Sequence, residues 1–298
     1  DLRMSRGLGD VYKRQMLVEA RPKNFSELIQ ISGLSHGTDV WTGNADELIR
    51  SGTCTIAEVI GCRDSIMLYL LRKGLEPKMS FDIMEAVRKG KVAKGGFKPG
   101  WEEAMREHEV PDWYIGSLAK IGYLFPKAHA VAYVMMAFRI AWFKVHEPLA
   151  FYATFFSVRA KAFDAEYCCA GMDAVKRKIK EIENNKDATA VEQDLMTTLE
   201  VCYEFCLRGF HFEPIDIYRS DATKFIVTEN GLLPPFTSVR GLGETAALDT
   251  VEKRKGKDFT SVEEFSLCCN KLSQTHIDQL RALGAFAGLP ETSQLTLF

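Results

Sequence analysis

The chain has 298 residues, 46% of them hydrophobic and 26% charged, and a formal net charge of −2. This material is enough for one large or two ordinary domains with real cores. Arg139, Lys144 and His146 interrupt the longest apolar stretch, which predicts that no segment spans a membrane. The eight cysteines include no C-x-x-C pair, so we expect free thiols and no metal site.

The first fifteen residues, DLRMSRGLGDVYKRQ, show no apolar periodicity. The string looks like a translated sequencing adapter, so residues 1–15 are predicted to be a non-native leader and take no part in the fold. The natural reading frame is then expected to start far upstream.

Apolar residues recur at spacings of three and four along most of the remaining chain, which predicts a mainly α fold with a few short strands. The predicted helices are Ile56–Ile60, Asp64–Arg72, Ser80–Lys89, Trp101–His108, Trp113–Lys120, Lys127–His146, Val175–Ile182, Val191–Arg208, Thr260–Phe265 and Leu272–Phe286. β-Branched and aromatic residues around the turn signal Asn230-Gly231 predict short strands within Phe212–Tyr218 and Lys224–Thr228.

Positive charge is concentrated between Arg72 and Lys98, where eight basic residues stand against three acidic ones and give a local net charge of +5. Such a stripe raises the affinity for phosphate whatever the charge of the whole chain, because each neutralised phosphate releases counterions. The alternative is a solvated helical face followed by the loop Lys94-Gly95-Gly96.

The segment from Phe125 to Pro148 is the most informative part of the sequence. Pro126 suits the start of a helix and Pro148 ends it, so one helix is predicted over Lys127–His146. A helix N-terminus carries partial positive charge and unpaired N–H groups, which Lys127 and His129 would reinforce as an anion site. The alternative is a buried helix with a satisfied histidine and a lysine that reaches to the surface.

A second motif surrounds Gly241-Leu242-Gly243 and has the pattern of a helix-hairpin-helix, with the small residue Ala247 four positions on. Both glycines are expected to permit backbone angles and a close approach that a side chain would block. The N–H groups of the second helix can then hold a DNA phosphate without reading sequence. A glycine helix cap followed by an ordinary turn is the alternative.

The string FPKAHAVAYVMMAFRIAWFKVHEPLAFYATFFSVRA closely resembles the fingers region of PolC-type replicative polymerases, the alpha chain of bacterial DNA polymerase III. Other segments resemble PolC in family order from about Met16 to the last residue, among them NFSELIQISGLSHGTDVWTGNADELI and LEVCYEFCLRGFHFEPIDIYRSDATKF. The resemblance implies a fingers domain at 16–159, a duplex-binding helix-hairpin-helix domain at 160–290 and a sliding-clamp-binding tail at 291–298.

The resemblance also implies roles for single residues. The incoming nucleotide is expected to contact Arg63, Lys127, His129 and Arg139 through its triphosphate and Tyr133 by stacking or positioning, although Arg139 can instead hold the helices together. DNA phosphates are expected to contact Lys73, Arg88, Lys89, Lys91, Arg240, Gly241, Leu242, Gly243 and Thr245. The sliding clamp is expected to bind Gln294, Leu295, Leu297 and Phe298, which follow Pro290 and a polar spacer.

The resemblance implies DNA-directed DNA polymerase activity for the full-length protein in the bacterial cytoplasm, at the nucleoid. Its partners would be primer-template DNA, dNTP, the β sliding clamp and other replisome subunits, with no membrane. A polymerase needs carboxylates that hold two Mg2+ ions. No Asp-x-Asp pair on a strand is found here, and the family's palm carboxylates lie upstream of the matched region, so this chain is expected to be inactive alone.

Two other interpretations remain open at this point. One is a non-catalytic DNA-binding and clamp-tethering module, and the other is a DnaE-type alpha chain, which shares a similar K-x-H-x-x-x-Y motif. The segment SGLSHGTDVW and the terminal peptide favour PolC.

Overall fold

The computed structural model describes residues 15–185, 187–229 and 231–293. The chain divides into two compact units, Asp1–Arg139 and Ile140–Phe298. This division falls inside the longest helix. The fingers and duplex-binding bounds at 159 and 160 stay a prediction.

The first unit is helical. Its helices are α1 Phe25–His36, α2 Asp46–Arg50, α3 Arg63–Arg72, α4 Pro77–Arg88, α5 Lys91–Gly95, α6 Trp101–Glu107, α7 Asp112–Lys120 and α8 Lys127–His146, which continues into the second unit. Residues 15–20 are also helical, and Trp41–Ala45 forms a kinked π-helical turn. Capping side chains set two of the starts, since Asn24 accepts from the N–H of Glu27 before α1 and Glu76 accepts from Met79 before α4.

The core of the first unit lies under α1, α3, α4 and α7. Leu34, Ile66, Ile83 and Leu118 are fully or almost fully buried there. Tyr114 is buried with them and stacks on Tyr69, with ring centroids 4.1 Å apart. This packing fixes α3 and α7 against each other and so sets the position of the residues between them.

The second unit combines helices with a small sheet. Its elements are α9 Pro148–Val158, α10 Ala165–Cys168, α11 Met172–Asn184, α12 Ala190–Leu207, β1 His211–Phe212, β2 Ile226–Val227, β3 Gly231–Leu233, a 3-10 turn Phe236–Ser238, α13 Glu244–Lys253, α14 Val262–Cys268 and α15 Gln274–Ala282. Strand β3 is central, parallel to β1 and antiparallel to β2, with Phe212 opposite Leu232 and Ile226 opposite Leu233.

Aromatic side chains fill the core of the second unit. Tyr152 and Phe156 of α9 pack against Phe205 of α12, with ring centroids 5.1 and 6.0 Å away. Phe212 of β1 and Phe225, just before β2, close this group from the sheet side. Rings of this size bury large apolar areas, so the short sheet is held by side-chain packing more than by its few ladder bonds.

The mainly α fold with short strands is confirmed, and Lys127–His146 has the predicted bounds. The predicted helix Ile56–Ile60 is wrong. Residues 55–59 form a turn that Glu58 closes by accepting hydrogen bonds from the backbone and hydroxyl of Thr55. The strand predicted within Phe212–Tyr218 ends at Phe212, because Pro214 has no N–H group to continue the ladder. The Asp216 carboxylate then accepts from the N–H groups of Tyr218 and Arg219 and bends the chain.

Helix α8 departs from two expectations. Ala130 is its only buried residue in the described chain, so the buried-helix interpretation is wrong. The helix also passes a test of length and apolar composition for crossing a membrane, against the prediction from its interrupting cations. Two cations over such a stretch do not lower its average hydropathy enough to fail that test. One helix of this kind is weak evidence for a membrane span.

Gly33 provides a test of the packing in the first unit. A Cβ at Gly33 of α1 would lie 2.1 Å from the Gly61 carbonyl oxygen, whereas a Cβ at Gly116 of α7 meets nothing within 4 Å. We expect Gly33→Ala to lower the free energy of unfolding by about 2 kcal/mol through overpacking. Gly116→Ala should raise it by about 0.5–1 kcal/mol through helix propensity. Urea unfolding followed by circular dichroism measures both, and equal effects would contradict the close approach.

Candidate functional site

The start of α8 is tied to the start of α3 by two hydrogen bonds, one to a side chain and one between backbones. The Asp64 carboxylate accepts from the N–H of Lys127 at 2.7 Å, and the N–H of Arg63 donates to the Phe125 carbonyl at 3.1 Å. A carboxylate at this position satisfies one of the unpaired donors of a helix start. The N–H of Lys127 is therefore not available to a phosphate while Asp64 holds it.

Four aromatic side chains gather beside this helix start and form the aromatic cluster, His36, Phe125, His129 and Tyr133. The His129 ring lies between Phe125 and Tyr133, at centroid distances of 4.5 and 4.3 Å. His36, at the end of α1, approaches Phe125 at 5.2 Å and Tyr133 at 6.1 Å. Tyr133 is 57% exposed, so the cluster has an open edge on which a ring can stack.

His36 was missing from the residues expected at this site. Its Nδ1 bonds to the Ser32 carbonyl at 2.7 Å, which orients the ring toward Phe125. The sequence offers one signal for it, the position in the last turn of a helix. Nothing in its spacing connects it with a helix more than 90 positions later.

Lys127 lies apart from the cluster. It lines a cavity of about 540 Å³, here called the α3 cavity, whose wall also includes Glu58, Tyr69, Arg72 and Trp113. Residues six positions apart on a helix point in different directions. Lys127 and Tyr133 therefore do not lie on the same face of α8. Of the five residues expected at the nucleotide, His129 and Tyr133 are the two that belong to the aromatic cluster.

The other two predicted nucleotide residues differ in their surroundings. The Arg63 side chain is about one-third exposed and lies 3.9 Å from the Asp64 carboxylate. Arg139 is exposed on α8 and makes no ion pair with any residue that the structure describes. Arg139 is therefore available to an anion, whereas Arg63 already faces a carboxylate.

The predicted DNA contacts of the basic segment are partly neutralised. Arg88 and Lys89 both pair with Glu85, the first through two hydrogen bonds and the second at 2.8 Å. These two cations hold the pKa of Glu85 at about 2. Lys73 and Lys91 form no ion pair within the described parts of the chain. A phosphate at Arg88 or Lys89 has to compete with Glu85.

In the hairpin only one of the two glycines needs its special backbone freedom. Gly241 has φ +79°, in the left-handed region, whereas Gly243 has φ −74° and precedes α13 as its N-cap. The expectation that both glycines need unusual angles is wrong for Gly243. A Cβ there would meet nothing within 4 Å, so the space in front of α13 is open.

The first turn of α13 presents free donors to that space. Ala246 and Ala247 donate to the Gly243 carbonyl, but the N–H groups of Glu244 and Thr245 have no acceptor in the described chain. Thr245 is exposed, and Leu242 is buried beneath the turn as its anchor. The turn thus has the form of a phosphate-binding helix start.

Arg240, just before the hairpin, is held by carboxylates instead of facing solvent alone. Its guanidinium lies 2.8 Å from Asp164 and 3.1 Å from Glu166, and it covers the Tyr167 ring at 5.2 Å. The hydrogen bonds that the guanidinium makes to Tyr167 and Asp164 raise the pKa of Arg240 above its ordinary value. The prediction that Arg240 meets a DNA phosphate therefore requires an exchange of partners.

No group of three His, Cys, Asp or Glu side chains in the described parts of the chain could hold a metal ion. These residues do not provide a Mg2+ site, so no step involving a metal follows from them. The predicted clamp-binding residues Gln294, Leu295, Leu297 and Phe298 lie outside the described residues.

Two family models of known proteins match separate segments of this chain. The family model described as the bacterial DNA polymerase III alpha subunit finger domain matches residues 8–109, and a helix-hairpin-helix motif model matches residues 209–295. The first match begins inside the segment expected to be a leader.

Curated relatives are similar over nearly the whole chain. Proteins named DNA polymerase III PolC-type are 53% identical in Bacillus cereus, 52% in Halalkalibacterium halodurans and 50% in Bacillus subtilis, each over 291 residues and 97% of this chain. The chain spans about a fifth of the length of these relatives.

The Glu85 ion pairs give a titration that can be measured. The folded pKa of about 2 lies below the ordinary 4.5, so the pairs contribute stability above pH 4.5 and lose it as the pH falls through about 2. We expect Arg88→Gln to raise the pKa of Glu85 toward 4.5. A pH titration of the side-chain carboxyl by ¹³C NMR tests this, with the urea-unfolded chain as reference. An unchanged pKa in the variant would show that Arg88 does not hold the carboxylate.

Proposed function

Since the chain belongs to the PolC-type DNA polymerase III family and spans about a fifth of its curated relatives, we propose that it supplies two functions of a DNA-directed DNA polymerase. The first unit binds the incoming dNTP, and the second holds the primer-template duplex. The proposal rests on the hairpin, where free N–H groups face an open space in front of α13.

The hairpin grips the sugar-phosphate backbone of duplex DNA. Gly243 leaves room for a phosphate in front of α13, and the N–H groups of Glu244 and Thr245 point at it as donors. The match to the helix-hairpin-helix motif supports this role. Arg240 releases Asp164 and Glu166 when a phosphate takes their place. Contacts of this kind position the duplex and do not read its sequence.

The aromatic cluster positions the incoming nucleotide. Tyr133 offers an exposed ring to a base or sugar, while His129 carries a ring N–H group that can donate to a phosphate oxygen. His36, whose Nδ1 is bonded to the Ser32 carbonyl, packs against Tyr133. Arg139, unpaired within the described chain, supplies positive charge farther along α8. The match to the finger-domain model ends at residue 109, so this assignment rests on the aromatic cluster itself and on the similarity to the relatives.

The remaining parts of the polymerase lie outside this chain in the proposal. The palm carboxylates and their Mg2+ ions come from the rest of the full-length protein, so the chain alone does not polymerise. The terminal residues from Gln294 to Phe298 tether the enzyme to the β sliding clamp, which brings it to the other replisome subunits. This work takes place in the cytoplasm, at the nucleoid.

Gly243→Leu separates DNA binding from folding. The backbone angles at Gly243 suit any residue and a Cβ there meets nothing within 4 Å, so we expect the melting temperature to fall by no more than about 3 °C, from the loss of a favourable N-cap residue. Its side chain would block the phosphate, weakening duplex binding about tenfold and reducing the slope of log K against log salt by about 0.9. Fluorescence anisotropy of a labelled 20-base-pair duplex in a salt series measures both quantities.

Gly116→Leu is the matched control, because Gly116 is exposed and a Cβ there also meets nothing within 4 Å. Its DNA affinity should equal that of the unmodified chain. Duplex binding by Gly243→Leu at full strength would rule out the hairpin as the grip.

Substitution of Tyr133 tests the role of the aromatic cluster in dNTP binding, in a full-length polymerase that carries this sequence. Stacking on an aromatic ring is worth about 1–3 kcal/mol per base, so Tyr133→Leu should raise KM for dNTP about tenfold and leave kcat within about twofold. Met136→Leu is the control, because Met136 is similarly exposed on α8 but lies outside the aromatic cluster. Equal KM values for the two variants would exclude Tyr133 from the nucleotide site.

A further inference from the structure

The α3 cavity is a site that none of these roles uses. Its volume of about 540 Å³ is in the range of small-ligand sites. Residues of α1, the turn at 55–59, α3, the start of α7 and the start of α8 line it. They include the hydroxyl side chains Ser26, Thr53 and Ser65.

Two cations without ion-pair partners in the described chain line this cavity, one near each end of α3. Arg72, in the last turn of α3, and Lys127, at the start of α8, both line it, and neither side chain forms an ion pair in the described chain. Arg88, Lys89 and Arg106 of the same unit are paired with carboxylates, whereas Lys73, Lys91 and Arg139 are unpaired in the described chain but do not line the cavity. Two unpaired cations at one concave surface form a site for an anion such as phosphate.

The same wall carries aromatic rings held in place from behind. Tyr69 stacks on the buried Tyr114 at 4.1 Å, and Trp113 meets Tyr114 edge to face at 5.5 Å. Because the core fixes these rings, a flat ligand can stack on them at little entropic cost. Cations beside stacking rings are the combination that binds single-stranded nucleic acid.

Glu58 adds a hydrogen-bond acceptor. Its Oε2 accepts from the N–H and the hydroxyl of Thr55, at 2.8 and 2.7 Å, and these bonds lower the pKa of the carboxyl. Its Oε1 has no partner among the residues that the structure describes. An ionised oxygen at the cavity wall can accept from an N–H group on the edge of a base.

We propose that the α3 cavity binds one unpaired nucleotide. The phosphate lies between Arg72 and Lys127, the base stacks on Trp113, and Glu58 Oε1 accepts from the base edge. This site is separate from the aromatic cluster, and the inference rests on the proposed binding of DNA by this chain. The nucleotide belongs either to a DNA strand or to a free mononucleotide, which carry the same chemistry.

The test uses the full chain and a fluorescein-labelled oligonucleotide of twelve thymidines. Leu68 lines the cavity and is 42% exposed, so Leu68→Glu places a negative charge there without emptying the core. We expect Leu68→Glu and Arg72→Gln each to weaken binding about tenfold. Arg72→Gln should also reduce the salt slope by about 0.7. Arg50→Gln removes an exposed arginine away from the cavity and should change affinity less than twofold.

Photocrosslinking locates the base directly. An oligonucleotide with one 5-iodouracil should crosslink to a peptide that contains Trp113 or Tyr69. Competition by unlabelled dTMP identifies a free nucleotide as sufficient, whereas competition by the oligonucleotide alone identifies a DNA strand as the source.

Full affinity in Leu68→Glu, or crosslinks only outside the cavity, would overturn the inference. The duplex assay with Gly243→Leu is independent of the cavity. It therefore separates a failure of this site from a failure of the proposed function.

Discussion

The close approach of α1 to the segment after residue 60 is the constraint on which the first unit depends. Gly33 lets the Gly61 carbonyl come within a distance that any side chain would forbid. The chain then continues into Arg63 and Asp64, whose backbone and carboxylate fix Phe125 and the start of α8. Both the aromatic cluster and the α3 cavity lie beside this junction, so one glycine contact positions two sites.

Carboxylates form ion pairs with several of the basic residues that were predicted to contact DNA. Glu85 holds Arg88 and Lys89, and Asp164 with Glu166 holds Arg240. Glu85 and Asp164 are mostly buried beside these cations, so a phosphate has to replace the carboxylate at the cation that it binds. The same pairs keep the free protein from presenting all its positive charge at once. In the proposed function, DNA binding is therefore an exchange of anionic partners, and its salt dependence would report the number of phosphates gained.

Residue patterns predicted much of the fold. Helix α8 has the predicted bounds because prolines at both ends restrict where a helix can begin and continue. The helix expected over Ile56–Ile60 failed for a local reason, since Thr55 and Glu58 bond to each other and close a turn that apolar spacing cannot reveal. The exposure of α8 was equally hidden, because periodicity describes which residues share a face and not whether anything covers that face.

The sequence by itself predicted the resemblance to PolC, the helical class and the glycine turn at Gly241, and it supplied the residue types of the proposed nucleotide and DNA sites. These follow from local backbone preferences and from motifs that are contiguous in the chain. Tertiary structure alone brought His36 to Tyr133, Arg72 to the same cavity as Lys127, and Arg240 to Asp164. Those pairings join residues far apart in sequence. Their partners depend on how helices pack, which no local pattern of residues specifies.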